Sequence, residues 1–170
     1  QDAAVQSCPL AYWPDGTLKW VGHAACGPID ADKLRVSPGR PVPPLSPVVV
    51  RQSAGAMDVR TGDFECVIPT SGSILIAAIR RGGLSQIENV RLVASRQDRS
   101  HADEGIVRAE RFESRVDSVV LEQSGPVRAV VRIQGLHVGE GDRAWLPFTL
   151  RISLHAGGNG IRIMHSFVFD

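Results

Sequence analysis

Apolar and polar residues alternate along the last part of the chain, most clearly in LPFTLRISLHAGGNGIRIMHSFVFD, residues 146–170. One side of an extended backbone would carry Leu146, Phe148, Leu150, Ile152 and Leu154. The other side would carry Thr149, Arg151, Ser153 and His155. After the GGNG step at 157–160 the first side continues as Ile161, Ile163, His165, Phe167 and Phe169. A period of two predicts a β-hairpin with one buried face.

The same period occurs twice more. VDSVVLEQSGPVRAVVRIQG, residues 116–135, predicts a hairpin that turns at Ser124-Gly125-Pro126. Earlier, FECVI at 64–68 alternates, PTSG turns the chain, and SILIAAI continues it. No segment predicts a helix of about ten residues or more. The fold class predicted from the pattern is therefore all-β.

WPDGTLKW, residues 13–20, predicts a tight hairpin of its own. Proline and aspartate suit the centre of a type I turn, with Gly16 in the left-handed position that follows. This loop would pair Trp13 with Thr17. It would also pair Tyr12 with Leu18 and Leu10 with Trp20, which predicts a core face made of these four side chains. Trp13 would lie on the other face near Lys19, in position for a cation–π contact.

Two stretches interrupt the alternation. SPGRPVPPLSP, residues 37–47, is too rich in proline for a central strand and predicts an extended connector between domains. RQDRSHADEG, residues 96–105, is polar throughout and predicts a surface loop.

Charge and cysteine content exclude some functions and leave others open. Nineteen basic against eighteen acidic residues give no general attraction to a nucleic acid or a membrane surface, so neither is expected as a partner. The three cysteines, Cys8, Cys26 and Cys66, lack metal-ligand spacing, and we expect no metal and no cofactor. They leave two alternatives open: three buried thiols, or one disulfide and one free thiol.

Four segments resemble the exo-rhamnogalacturonan lyase-like family of polysaccharide lyases. The first is YWPDGTLKWVGHA at 12–24, which is similar to the family's W-P-D-G-S/T-x-K-W segment. The others follow in the family's order as TGDFECVI at 61–68, LEQSGPVRAVVRIQG at 121–135 and WLPFTLRISLHAGGNGIRIMHSFVFD at 145–170. The resemblance implies part of a small β-barrel followed by part of an antiparallel β-sandwich. It places the latter part of the barrel and the proline-rich connector at 1–52, and the first part of the sandwich at 53–170.

The resemblance also implies a partner, a substrate and a location. Family members carry a C-terminal α/α toroid domain, so we expect the remainder of a larger parent chain as a partner. The implied substrate is an acidic polysaccharide or oligosaccharide of the rhamnogalacturonan type, cleaved by β-elimination, and the implied location is secreted or extracellular. Because the resemblance places most of the catalytic machinery on or near the toroid, no catalytic residue is assigned here.

Candidate substrate-binding residues lie in the last hairpin. If GGNG closes a four-residue turn, His155 lies opposite Arg162, and Trp145 and Arg151 share their face. An aromatic ring beside arginines suits an acidic sugar, because a guanidinium binds a carboxylate through two hydrogen bonds. The alternative is a solvated face whose arginines pair with Glu110, Asp117 or Glu122. His165 falls on the apolar face, where it is either a core histidine or part of a cleft between domains.

Three functional hypotheses follow. In the first, the chain is the non-catalytic, substrate-positioning segment of a polysaccharide lyase. In the second, it is a stand-alone β-sandwich module that binds carbohydrate or a protein. In the third, it is a sandwich domain of a glycoside hydrolase with the same supporting role.

Overall fold

The computed structural model describes residues 3–27, 35, 37–97 and 108–169 of the chain. The first two strands, β1 (Ala4–Tyr12) and β2 (Leu18–Cys26), form an antiparallel hairpin. The strands β3 (Val49–Gln52), β4 (Ala56–Thr61), β5 (Phe64–Pro69), β6 (Ile76–Arg81) and β7 (Leu84–Val90) form one sheet in that order. The strands β8 (Val93–Gln97), β9 (Ala109–Gln123), β10 (Arg128–Val138), β11 (Ala144–His155) and β12 (Arg162–Phe167) form the other, ordered β12-β11-β10-β9-β8. The only helical element within the described ranges is a short 3₁₀ turn, Glu140–Asp142, so the all-β fold class is confirmed.

The two five-stranded sheets pack face to face as a β-sandwich. Their inner faces contribute one continuous apolar core, in which Val59 and Ile68 of one sheet and Ile133 of the other are completely buried. On β11 the buried residues Phe148, Leu150, Ile152 and Leu154 fall at alternate positions. The alternation in the sequence thus predicted the buried face of β11 correctly from Phe148 to Leu154.

The hairpin of β1 and β2 has the predicted turn and cation–π contact, but its predicted core face is not buried. The Gly16 N–H donates to the Trp13 carbonyl at 2.9 Å, and Gly16 has a φ of +84°. The Lys19 Nζ atom lies 4.2 Å from the centre of the Trp13 ring. Tyr12 pairs with Leu18, but a bulge places Trp20 opposite Ala11 instead of Leu10. The predicted core face of Leu10, Tyr12, Leu18 and Trp20 is more than half exposed at each residue, because no described element packs on it.

The connector and its boundary differ slightly from the sequence interpretation. Residues 37–48 form no strand, as the prolines predict. Residues 49–52, which the sequence interpretation assigned to the segment before the boundary, form β3 and pair with β4 in the sandwich. VVRQ carries no proline, so its backbone N–H groups are all free to join a sheet.

Gln6 joins the hairpin to the sandwich through its side-chain amide. The Oε1 atom of Gln6 on β1 accepts hydrogen bonds from the backbone N–H of Val127 at 3.1 Å and of Arg128 at 2.8 Å. Its Nε2 atom donates to the Arg128 carbonyl at 3.0 Å. A Cβ atom at Gly125 would lie 2.3 Å from the Gln6 side chain, so a larger residue there would displace this amide. The turn between β9 and β10 is therefore shaped to receive this amide.

The cysteines form no disulfide. Cys8 and Cys26 are partly buried free thiols on β1 and β2, and Cys66 is a fully buried free thiol on β5. Burial raises the pKa of the Cys66 thiol to about 12, so it stays protonated and packs as a small apolar side chain. Of the two alternatives, the structure shows free thiols, of which only Cys66 is fully buried.

We expect Gln6→Ala to lower the free energy of unfolding by about 1–3 kcal/mol, because two backbone N–H groups lose their acceptor. Chemical denaturation measures the loss, and amide hydrogen exchange should quicken at Val127 and Arg128. Gln86→Ala is the control, since the Gln86 side chain is exposed and bonds only to the nearby Leu84 carbonyl at 3.4 Å. An equal loss in both variants would show that Gln6 does not join the two parts.

Candidate binding surface

Three of the candidate residues, Arg151, His155 and Arg162, lie on the solvent side of the β12-β11-β10-β9-β8 sheet, which we call the outer face. It is the side turned away from the core, and successive residues of a strand alternate between the two sides. Its main side chains on β10, β11 and β12 are Arg128, Arg132, Gln134, Thr149, Arg151, Ser153, His155, Arg162 and Ser166. The outer face is thus rich in arginine at one end and in hydroxyl and amide groups at the other.

The pairing of β11 with β12 is offset from the predicted one by two residues. Arg162 lies opposite Ser153, not opposite His155. The turn is longer than four residues because its first residues bond elsewhere: the Ala156 N–H donates to the Val127 carbonyl at 2.8 Å. An offset of two residues leaves every side chain on its predicted face. Arg151, His155 and Arg162 therefore do share the outer face.

Trp145 does not share that face, which corrects the sequence prediction. A β-bulge at Leu146 and Pro147 shifts the register, so that Trp145 lies opposite His137 on the core side of the sheet. There its ring lies 5.1 Å from the Phe112 ring and 6.1 Å from the Phe169 ring, centre to centre. One extra residue in a strand reverses the direction of every side chain beyond it. The clue in the sequence was Pro147, because proline within a strand marks an edge or a bulge.

The bulge is held by a buried histidine. Leu146 has a φ of +49°, a left-handed conformation that a branched side chain adopts at a cost. The Nδ1 atom of His137, which is buried, lies 2.7 Å from the Leu146 carbonyl oxygen and donates a hydrogen bond to it. The His137 ring also meets the Phe148 ring at 5.2 Å. Local packing thus compensates the strain at Leu146.

His165 lies on the apolar face, as predicted, but it is exposed there. It is opposite Leu150, and its ring lies 5.3 Å from the Phe167 ring and 6.4 Å from the Phe148 ring. Desolvation and the neighbouring His137 lower the pKa of His165. His165 and Trp145 are therefore separated by the sheet from Arg151, His155 and Arg162.

Two arginines of the outer face share one carboxylate. Arg151 donates two hydrogen bonds to Glu122, from Nε at 2.8 Å and from Nη2 at 3.1 Å. The Arg132 Nε atom lies 3.3 Å from Glu122 Oε1, an ionic contact without hydrogen-bond geometry. The hydrogen bonds to Glu122 raise the pKa of Arg151. The sequence interpretation had offered Glu122 as a partner for arginines, and the structure confirms that pairing.

A second group, which we call the basic cluster, has no carboxylate. It consists of Arg128, Ser153, His155 and Arg162, with Arg128 opposite His155 and Ser153 opposite Arg162. Within the described ranges neither Arg128 nor Arg162 forms an ion pair, and the buried Nε atom of Arg128 has no hydrogen-bond partner. Burial lowers the pKa of His155, and the positive charges of Arg128 and Arg162 lower it further. The cluster is therefore a locally uncompensated positive site that suits an anion.

A cleft of about 360 Å³ opens on the same face at the bulge, and the sequence interpretation missed it. Gln134, Thr149 and Ser166 line it, with Leu136 and Pro147 beside them. Its volume falls in the range of small-molecule sites, about 300–1,000 Å³. The alternation predicted Thr149 on the outer face, but only the bulge creates the depression.

Among the described residues, no three or more His, Cys, Asp or Glu side chains come together in a way that could hold a metal ion. In the same residues, no helix has the length and apolar character needed to cross a membrane.

Comparison with known proteins places this fold in a family. The PcRGLX-like protein central beta sandwich domain matches residues 48–170, and the PcRGLX-like N-terminal RIFT barrel domain matches residues 1–39. The chain is 36% identical over 169 residues to the uncharacterized protein YetA of Bacillus subtilis (strain 168). That alignment covers 98% of this chain and 20% of YetA, so the chain spans about a fifth of the relative's length. Since the sandwich match alone covers well over half of its residues, the chain belongs to the PcRGLX-like family.

Proposed function

We propose that this chain is the substrate-positioning segment of a secreted polysaccharide lyase that cleaves rhamnogalacturonan-type acidic polysaccharide by β-elimination. The basic cluster carries the proposal, because it presents two arginines that have no carboxylate partner among the described residues, on an exposed sheet face. Membership of the PcRGLX-like family supports the lyase reaction, since the sequence resembles exo-rhamnogalacturonan lyases.

The chemistry of β-elimination gives the cluster its role. The reaction needs a positive group at the uronate carboxylate, a base for the proton beside it, and an acid for the leaving oxygen. Arg162 and Arg128 fit the first need for a sugar bound to the outer face, because a guanidinium fork matches a carboxylate. In this proposal the base and the acid come from the α/α toroid domain of a longer chain. This segment binds and orients the polysaccharide.

Arg151 has a different role in the same proposal. Its two hydrogen bonds to Glu122 occupy one edge of its guanidinium and compensate its charge, so it is less available to a ligand than Arg162. Trp145 and His165 cannot contact a sugar on the outer face, because they lie on the other side of the sheet. The proposed contacts to the carboxylate therefore come from Arg128, His155 and Arg162.

A stand-alone binding module is the alternative that the same surface supports. An exposed sheet face with an anion site can bind an acidic oligosaccharide without cleaving it. The two functions differ in one observable, which is the appearance of unsaturated uronate ends when the longer chain that carries this segment meets acidic polysaccharide. Binding without such ends in that longer chain favours the module.

Arg162→Gln should weaken binding of an oligogalacturonate about tenfold or more, because a charge-assisted hydrogen bond contributes about 1.5–3 kcal/mol. Isothermal titration calorimetry on this chain measures the change. Arg143→Gln is the matched control: it removes the same charge from an exposed arginine that pairs with Glu110 at 2.9 Å, far along the sheet from the cluster. Equal weakening in both variants would indicate a general charge effect, and no binding by the unchanged chain would refute the proposal.

The pH dependence provides an independent test through His155. Burial, Arg128 and Arg162 lower its pKa, so the free protein should show a midpoint below the ordinary value in an NMR titration. Arg162→Gln should raise that midpoint, and Arg143→Gln should leave it in place. Since His155 is charged more readily in the unfolded chain, it reduces stability as the pH falls below the unfolded pKa of about 6.5.

A bound uronate should reverse part of that shift. Its negative charge stabilises protonated His155, so the midpoint should rise on binding and the affinity should increase as the pH falls from about 8 to about 5. An affinity that is constant over this range would place the carboxylate away from His155.

A further inference from the structure

The cleft at the bulge combines an apolar floor with a polar side. Leu136, Pro147 and Val168 supply apolar surface, while Gln134, Thr149 and Ser166 supply amide and hydroxyl groups. Flat apolar surface beside a few fixed polar groups is what a pyranose ring requires, because one face of the ring is C–H and its rim is hydroxyl.

The polar side is a continuous row across three strands. Thr149 lies opposite Gln134 on one neighbouring strand and opposite Ser166 on the other. With strands about 4.8 Å apart, the row is about 10 Å long. Among the described residues, no side-chain hydrogen bond involves any of these three, so their donors and acceptors are free. An uncommitted row of this kind can exchange hydrogen bonds with water for hydrogen bonds with sugar hydroxyls.

The backbone beneath the cleft is strained and tightly packed. Leu146 holds its positive φ through the His137 hydrogen bond, and this conformation brings Pro147 to the edge of the cleft. Gly135 is required on the neighbouring strand, because a Cβ there would lie 2.0 Å from the Arg115 carbonyl oxygen. Bulges and strained residues occur disproportionately beside functional sites. The depression is thus built into the sheet.

Charge at the cleft opposes an anion. Asp117 lines it, and its closest ionic partner is Arg115, with Nε 3.7 Å from Asp117 Oδ1. A carboxylate accepts hydrogen bonds from hydroxyl groups, and it repels another carboxylate. None of the described residues that line the cleft is basic. The cleft and the basic cluster therefore select opposite kinds of sugar.

We infer that the cleft is a binding subsite for an uncharged pyranose. Ser166 is four residues from Arg162 on β12, about 14 Å along the strand, so one oligosaccharide lying along β11 and β12 reaches both sites. The inference deepens the proposed function and rests on it: the ligand would be a chain that contains neutral as well as acidic sugars. The acidic unit would bind at the basic cluster and the neutral unit at the bulge.

The test uses two probes that differ only at C6, methyl β-D-galactopyranoside and its uronate, methyl β-D-galactopyranosiduronate. Each is titrated into the isotopically labelled 170-residue chain, and amide NMR shifts are mapped on the structure. We expect the neutral glycoside to shift the amides of Gln134, Thr149 and Ser166, with saturation. We expect the uronate to shift those around His155 and Arg162. No saturable shift at the cleft, or a uronate bound there as tightly as the neutral probe, would overturn the inference.

Thr149→Val provides the matched variant, because it keeps the shape of the side chain and removes its hydroxyl. It should weaken binding of the neutral probe on the order of fivefold. Thr70→Val, in the loop after β5 on the other sheet, is the control and should leave that affinity unchanged. Equal loss in both variants would overturn the inference. Absence of uronate shifts at the basic cluster, with the neutral shifts present, would instead contradict the proposed function alone.

Discussion

The apolar interior between the two sheets is the constraint that determines the rest of the molecule. Val131 and Ile133 on β10 and Leu150 and Ile152 on β11 are buried in it, so their neighbours along each strand must face away. Those neighbours include arginine and threonine, side chains that would cost several kcal/mol each if buried without partners. The outer face therefore owes its composition to the core behind it. The side chains that a ligand can contact on this sheet are therefore those that packing of the core directs outward.

The bulge at Leu146 and Pro147 interrupts the alternation of inward and outward side chains along β11, and this interruption has two consequences. It turns Trp145 inward to pack on Phe112, which adds aromatic contact to the end of the sandwich. It also removes a regular stretch of sheet from the outer face and leaves the cleft. The hydrogen bond from His137 to the Leu146 carbonyl stabilises the bulge, and both the inward position of Trp145 and the cleft depend on that bulge. Trp145 thus supports the site from behind the sheet.

The sequence predicted what depends on local pattern and failed where distant contacts decide. Period two located the strands and assigned Arg151, His155 and Arg162 to one face, because alternation survives an offset of two residues. It could not give the length of the last turn, which depends on Ala156 bonding to Val127. It assigned Trp145 to the wrong face, because a bulge of one residue reverses the direction of the side chains beyond it. The residues around Pro147 do not by themselves show that the strand contains this bulge. The predicted burial of Leu10 and Trp20 was wrong for another reason. Alternation of apolar and polar residues predicts an apolar face, but it does not show whether another element covers that face.

The position of one carboxylate divides the outer face into regions of different chemistry. Glu122 lies between Arg132 and Arg151 and neutralises part of their charge, so the middle of the sheet is a closed ionic network. Arg128 and Arg162 form no ion pair with it among the described residues. Burial lowers the pKa of His155, and the charges of these two arginines lower it further. Toward the opposite end the face becomes uncharged at Gln134 and Thr149, and then acidic at Asp117. A saccharide lying along these strands would therefore meet positive, compensated and slightly negative surface in turn. Such an order fixes the direction of an asymmetrically charged chain on the sheet, which a uniform basic patch of equal net charge would not do.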